Sequence, residues 1–495
     1  MNDSILETIV NDSQLAMPLL LWPALAILLL VVQIINPRPK LSLGLSLAGL
    51  IGMIGFSVAS FDSNTAASLF VGTVAWDAIS QSFNILSQLI VLCVVLMMVP
   101  GLNSTRGIFR DGYEQLPEFL ICLILSGFGA GVLVSAKDLT SLFLGLEILS
   151  IGIYCLCGFF RKEVQSTESA IKYLLIGAFA TVIFLYGVAF VYGATGATQY
   201  DQIFAALSSG GLSVLARFGI VFMMAGFAFK LAFVPFHLYT ADVYEGAPTP
   251  VTAYMATILK VAMAGAFLRV FWGLFAESAS WTPLWLGLCL LSILVGNIAA
   301  LQQQTLKRLL AFSSISHAGF IGLALLIAKP GTGSVFPLMA YLVVYTLMSL
   351  GSFGLISLLE DREKPFRLED LKGLGRSRVV VGLALAVCLL GLAGIPPFAG
   401  FMVKFWVFQG LIEQGFWGAA VVAVVGSIIG AAYYLRLLIY IFVSQEEGDA
   451  LRWMAESDKF LTLRLVIMVC VFLTLVGGVW PGFYADWILA GLALK

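Results

Sequence analysis

The sequence predicts an all-α polytopic membrane protein with about fourteen transmembrane helices, and three observations carry this. Hydrophobic residues make up 60% of the 495 and charged ones only 11%, with a mean hydropathy of +1.00. That is too little charge to cover a soluble surface. Apolar runs of about 20 residues, the length a helix needs to cross a hydrocarbon core, succeed one another along the chain. The basic residues between those runs then fall almost entirely on one side.

The runs place spans near 16–36, 41–61, 80–100, 116–135, 138–160, 168–193, 217–238, 250–273, 282–301, 305–328, 335–359, 379–411, 417–443 and 461–483. Loops after the odd-numbered spans hold seventeen lysines and arginines, and the opposite side four. Basic residues stay on the cytoplasmic side of a membrane. Both termini are therefore expected on the periplasmic side or its equivalent, and the 360–378 loop in the cytoplasm. One missed span would scramble the bias. The N-terminal MNDSILETIVNDSQ has acids and no basic stretch, so no signal peptide is expected there.

The twelfth run, VVVGLALAVCLLGLAGIPPFAGFMVKFWVFQGL, is too long for one straight helix: about 33 residues at 1.5 Å each is near 50 Å, against a core of about 30 Å. Gly394, Pro396, Pro397 and Gly400 supply a break, with Lys404 just beyond it. Pro235, five residues after Lys230, interrupts the seventh run in a milder way. Carbonyls freed by a break are tolerated at membrane depth only where protein or water satisfies them. Two interrupted spans, each with a lysine and five spans apart, suggest a five-helix repeat, and an odd repeat length inverts its topology. The expected organisation is a three-helix segment (1–115), a first repeat (116–273), a second, inverted repeat (282–445) and a C-terminal helix segment (446–495).

Net charge is -1 with no basic patch, which argues against nucleic acid as a partner. The seven cysteines lie in apolar runs without CxxC or Cys/His spacing, and are expected to be buried small hydrophobes rather than metal ligands. Two histidines leave little for haem ligation, and no glycine-rich phosphate loop follows a strand. No metal or cofactor is expected in this chain.

Six basic residues fall inside the spans: Lys172, Lys230, Lys260, Arg269, Lys404 and Arg436. Arg269 and Arg436 are near span ends and are expected to snorkel to headgroups. Lys172 has Glu168 four residues earlier, an ordinary i,i+4 pair. Lys230, Lys260 and Glu147 all lie about 10 to 13 residues into their spans, so at similar depth. An unpaired charge there costs at least ~2.5–3.5 kcal/mol, which pairing of Glu147 with Lys230 would offset. Such a pair is either a static lock on helix packing or a proton site, because burial disfavours a charged lysine and a carboxylate favours it. His237, at the mouth of the seventh span, is either a proton relay or an interfacial cap. Ser313, Ser314, Ser316 and His317 on the tenth span either line a water chain or bond neighbouring helices.

Three motifs then stand together in order: PFHLYTADVYEGAPTPVTAYMA, KRLLAFSSISHAGF and GIPPFAGFMVKF. They resemble the antiporter-like subunits of respiratory complex I, the proton-pumping NADH:quinone oxidoreductase, over residues 116 to 445. Among these the N type fits best. The DVYEGAPTPVT loop resembles its version, the M type has glutamate where Lys404 stands, and the L type is longer with a lateral helix. Tyr239 stands where tryptophan is usual and Ala241 where proline is usual, departures expected to touch the loop's shape more than a proton path. The resemblance implies a polar axis at mid-membrane. In it Glu147 is the carboxylate partner of Lys230, Lys172 the sixth-span lysine, His237 a relay, Lys260 the central bridge and Lys404 the distal site. It also implies K- and M-type neighbours, a bacterial inner membrane, and FMN, iron–sulfur clusters and quinone held by other subunits. The competing class is a subunit of a cation/proton antiporter or related membrane-bound oxidoreductase.

Overall fold

The computed structural model describes residues 2–99, 115–211, 213–277, 281–328, 333–359, 365–444, 446, 448, 449 and 461–491; the 360–364 part of the basic loop lies outside them. A helix that was not expected, α1 (Asn2–Leu15), precedes α2 (Met17–Ile35), α3 (Pro39–Ala59) and α4 (Ala78–Met98). Next come α5 (Leu116–Ser135), α6 (Leu139–Cys157), α7 (Val164–Thr195), the short α8 (Tyr200–Gly210), α9 (Val214–Lys230), the seven-residue α10 (Thr240–Gly246) and α11 (Thr249–Glu277). The second half runs α12 (Thr282–Leu301), α13 (Leu306–Ile327), α14 (Phe336–Leu359), the short α15 (Leu374–Ser377), α16 (Val379–Ala393), α17 (Ala399–Glu413) and α18 (Trp417–Leu438). It ends in α19 (Leu461–Val479) and α20 (Gly482–Gly491).

Twelve of the described helices are long and apolar enough to cross a membrane. The other two expected crossings are α9, of 17 residues, and the stacked pair α16 and α17, of 15 each. The seventh and twelfth spans are the broken ones. Gly394 ends α16 at φ +79°, a left-handed conformation that favours glycine, and a Cβ there would press on the Lys404 side chain at 2.8 Å. The seventh helix stops at Lys230 rather than at 238, and residues 231–239 follow in irregular backbone. Both breaks contain a cis peptide bond, before Pro235 and before Pro397.

The sixth span begins at Val164, not 168. Its polar first turn stays helical because Ser166 donates to the Cys157 carbonyl at the end of α6 (2.6 Å). The connection before α4 departs from an all-helical chain: strands β1 (Ala66–Leu69) and β2 (Val74–Asp77) pair antiparallel, too short to register as a pattern in the sequence.

The two arginines expected to reach headgroups are both bonded within the protein. Arg436 donates to the Leu301 and Gln303 carbonyls, capping the end of α12. Arg269 donates to both carboxylate oxygens of Asp77 (3.0 and 2.7 Å) and to the Val134 carbonyl, joining α4, α5 and α11 at the hairpin end. Asp77 also caps α4 through the Ser80 amide. Burial raises the Asp77 carboxyl, but the Arg269 charge and bonds outweigh it and hold the group at about 2 instead of 3.8. A depressed carboxylate contributes stability that is full above pH 3.8 and lost as pH falls through about 2. Asp77→Asn is therefore expected to cost about 2 kcal/mol at neutral pH and to flatten the acid limb of thermal unfolding in detergent. An unchanged acid limb would remove the pair from the stability account.

Candidate functional site

The site is a row of three lysines inside the helical body. Lys230, Lys260 and Lys404 are 3%, 3% and 6% exposed. None of the three has a carboxylate within ion-pair distance among the described residues; hydroxyls and carbonyls surround them instead.

Lys230 ends α9 and reaches α6. Its ammonium donates to Ser150 Oγ (2.7 Å) and Tyr154 Oη (3.0 Å), and sits 5.4 Å from the centre of the Tyr154 ring. The direct Glu147–Lys230 pair expected from the sequence is therefore absent. Glu147 accepts from Thr181 of α7 (3.0 Å) instead. The reason is helical geometry: Glu147, Ser150 and Tyr154 follow at i, i+3 and i+7 on one face, and the two hydroxyls occupy the ammonium. Glu147 and Lys230 are thus separated by that hydroxyl layer.

Lys260, on α11, donates to Ser314 Oγ of α13 (2.6 Å) and lies 5.4 Å from the Tyr345 ring centre. Ser314 is a hub: Tyr345 Oη of α14 donates to it (3.0 Å), and Tyr244 Oη of α10 is 3.3 Å away. One turn further along α13, His317 Nδ1 is 2.8 Å from Tyr341 Oη. All four polar residues of the cluster bond neighbouring helices. Ser314 and His317 face the lysine row, whereas Ser313 bonds Tyr434 of α18 and Ser316 accepts from Asn297 of α12 (2.8 Å).

Lys404, on α17, reaches back across the break. It donates to the Leu392 and Ala393 carbonyls (3.2 and 2.9 Å), left without helical partners where α16 ends, and to Ser427 Oγ of α18 (2.9 Å). Pro396 and Pro397 create the demand that Lys404 fills. Pro235 does the equivalent for the seventh span, but Lys230 turns away from its own helix end.

Lys172 stands apart from the buried row, its side chain 40% exposed. The expected Glu168 pair is present (2.7 Å), joined by Asp242 of α10 (2.9 Å), whose other oxygen accepts from Arg308 of α13 (2.7 Å). The hydrogen bond from Lys172, with that from Arg308, holds Asp242 below the ordinary carboxylate range. His237, in the loop between α9 and α10, is half-buried with its ring 6.4 Å from Phe312. Tyr239 is more central than its loop position suggested. It is buried, stacks on Phe229 and Tyr173 (4.6 and 5.2 Å), and donates to the Phe229 carbonyl (2.9 Å). Ser150, Tyr154, Tyr345 and Ser427 were not anticipated, although the i, i+3, i+7 spacing after Glu147 was available as a signal.

A polytopic body with two broken helices and three buried lysines without carboxylate partners among the described residues is the architecture expected of an antiporter-like membrane subunit. Comparison with known proteins agrees. The NADH:quinone oxidoreductase/Mrp antiporter transmembrane family matches residues 136–430. The chain is 35% identical to NADH-quinone oxidoreductase subunit N 1 of Rhizobium meliloti over 466 residues, 93% of each chain. Its fold matches a chain of respiratory complex I from Thermus thermophilus, solved with bound aureothin, with a TM-score of 0.78, 33% identity and coverage of 95% and 98%. A chain of the Mrp complex from Dietzia gives a TM-score of 0.80 at 21% identity over 97% of each chain, a likeness of fold alone. The chain belongs to the subunit N family of NADH-quinone oxidoreductase, the antiporter-like subunits of the complex I membrane arm.

Proposed function

We propose that this subunit moves protons across a bacterial inner membrane through the row Lys230, Lys260 and Lys404, driven by quinone reduction in other subunits. The observation that supports it most is the choice of residue and partner. Three buried cations with no carboxylate beside them make a poor static lock, because an uncompensated buried charge destabilises. A lysine can release its proton in such a place and an arginine cannot. Hydroxyls can then both accept from the ammonium and donate to the amine.

In this reading the carboxylate of Glu147 sets how firmly Lys230 holds its proton. Beyond contact the interaction is weaker but still felt: unit charges about 8 Å apart at an effective dielectric near 20 interact by about 2 kcal/mol, so a change in separation alters how firmly the proton is held. The proton passes to Lys260, then by way of Ser314 and His317 to Lys404, which releases it to the periplasmic side. Residues 116–273 and 282–445 act as two inverted units around this row, and both termini face the periplasm. Lys172 and His237 serve the cytoplasmic side. FMN, iron–sulfur clusters and quinone belong to other subunits, with K- and M-type subunits as neighbours in the bilayer.

The test uses the assembled complex in vesicles. With Lys260→Met, a side chain of similar length without a proton to give, the chain is expected to copurify with flavin and iron–sulfur subunits and to lose about tenfold or more of NADH-driven pumping. Pumping at the wild-type rate would end the proposal. Copurification with small antiporter subunits alone would move the chain to the competing class.

A further inference from the structure

Lys230 and Lys260 share no hydrogen-bonding side chain: the first is held by α6, the second by α13. Between them lies a cavity of about 10 Å³, lined by both lysines and by the hydroxyl residues Tyr173, Tyr239, Thr240 and Tyr244. That volume suits one water molecule. Two of the four hydroxyls are already engaged, Tyr239 with the Phe229 carbonyl and Tyr244 with Ser314. The other two are not. Tyr173 Oη and Thr240 Oγ1 belong to residues 1% and 2% exposed and find no partner among the described residues. Thr240 lies beside the Tyr239 hydroxyl, but in no hydrogen-bond geometry with it. Buried hydroxyls in native proteins are nearly always bonded, to protein or to ordered water. Two unbonded hydroxyls on residues that line a water-sized space between two lysines give that space the polar partners to fix a water.

We propose that Tyr173 and Thr240 hold a single water between Lys230 and Lys260 and are positioning residues for proton passage between them, an inference that rests on the proton-translocation reading above. The step balances with no other reactant. The water takes a proton from the Lys230 ammonium as it gives one to a neutral Lys260 amine, and is regenerated. The outer ion network keeps the two hydroxyls in place. Tyr173 follows Lys172 on α7, Thr240 precedes Asp242 by two residues on α10, and the Lys172–Asp242 bond (2.9 Å) ties those helices together.

The experiment compares Tyr173→Phe, Thr240→Val, the double variant and Thr240→Ser in the assembled complex in vesicles. Each hydroxyl deletion is expected to slow pumping about five- to tenfold, the worth of one hydrogen bond in a rate-limiting transfer. Thr240→Ser should restore the rate to within about twofold, since it returns the hydroxyl without the methyl. High-resolution density of the complex should show a water bonded to both hydroxyls, lost in the double variant. A double variant that pumps at the wild-type rate overturns the water site, as does Thr240→Ser behaving like Thr240→Val. Lys230→Ala separates the two levels of the argument. If it blocks pumping while the double variant does not, only the water site falls; if it pumps normally, the translocation reading falls first.

Discussion

Lys230→Ala is expected to leave the complex assembled and to cut proton pumping on the order of a hundredfold or more, the scale on which a positioned proton-transfer group contributes. The structure explains why assembly should survive. Ser150 donates to the Leu146 carbonyl (2.6 Å) and only accepts from Lys230, so it keeps a partner when the lysine goes. Tyr154 keeps its edge-on packing against Tyr173, with ring centres 4.8 Å apart. No buried charge is stranded by the change, since none was paired to Lys230 directly. Glu147→Gln refines the result. The amide keeps the Thr181 contact and the shape of the site, and removes only the charge. Pumping should fall with Glu147→Gln nearly as far as with Glu147→Ala if the carboxylate acts by its field, and should be retained if it acts only as a hydrogen-bond acceptor. Pumping and NADH-driven quinone reduction measured on the same vesicles separate a blocked proton route from a failure of electron transfer. Normal pumping with Lys230→Ala would remove the row's first station.

What the sequence disclosed about the fold follows from what a bilayer demands. Length and hydropathy placed the spans, and Pro235 and Gly394–Pro397 placed the two breaks, because proline and glycine act locally whatever surrounds them. Charges were equally legible, since a lysine in an apolar run is conspicuous. Their partners were not. Ser150, Tyr154, Tyr345 and Ser427 read as ordinary members of apolar helices, and only the meeting of Lys230 with α6, of α14 with α13 and of α18 with α17 gives them a role. The same blindness produced the direct Glu147–Lys230 contact: position along two helices does not say which side chain fills the space between. The partners of the arginines were hidden for a related reason. Nearness to a span end is a property of one helix, whereas Asp77, Val134, Leu301 and Gln303 come from others.

Lys404 is the position where a structural role competes most strongly with a chemical one, and Lys404→Arg distinguishes them. As found, the ammonium caps the last carbonyls of α16, those of Leu392 and Ala393, and bonds Ser427. A cation of any kind at a helix C-terminus satisfies such carbonyls and complements the helix dipole. If capping the broken helix were its whole purpose, arginine would serve, having more donors than lysine and a charge that never leaves. A proton station needs the opposite property. We therefore expect Lys404→Arg to assemble and to lose pumping on the order of a hundredfold or more. Lys404→Glu should keep a measurable fraction, because a carboxyl can carry a proton and, while protonated, donate it to one of the two carbonyls. Lys404→Met should lose both functions, with weaker assembly than either. The ordering of the three is the sensitive result. Near-normal pumping in Lys404→Arg, with Lys404→Glu inactive, would make Lys404 a helix cap and end the proton row at His317.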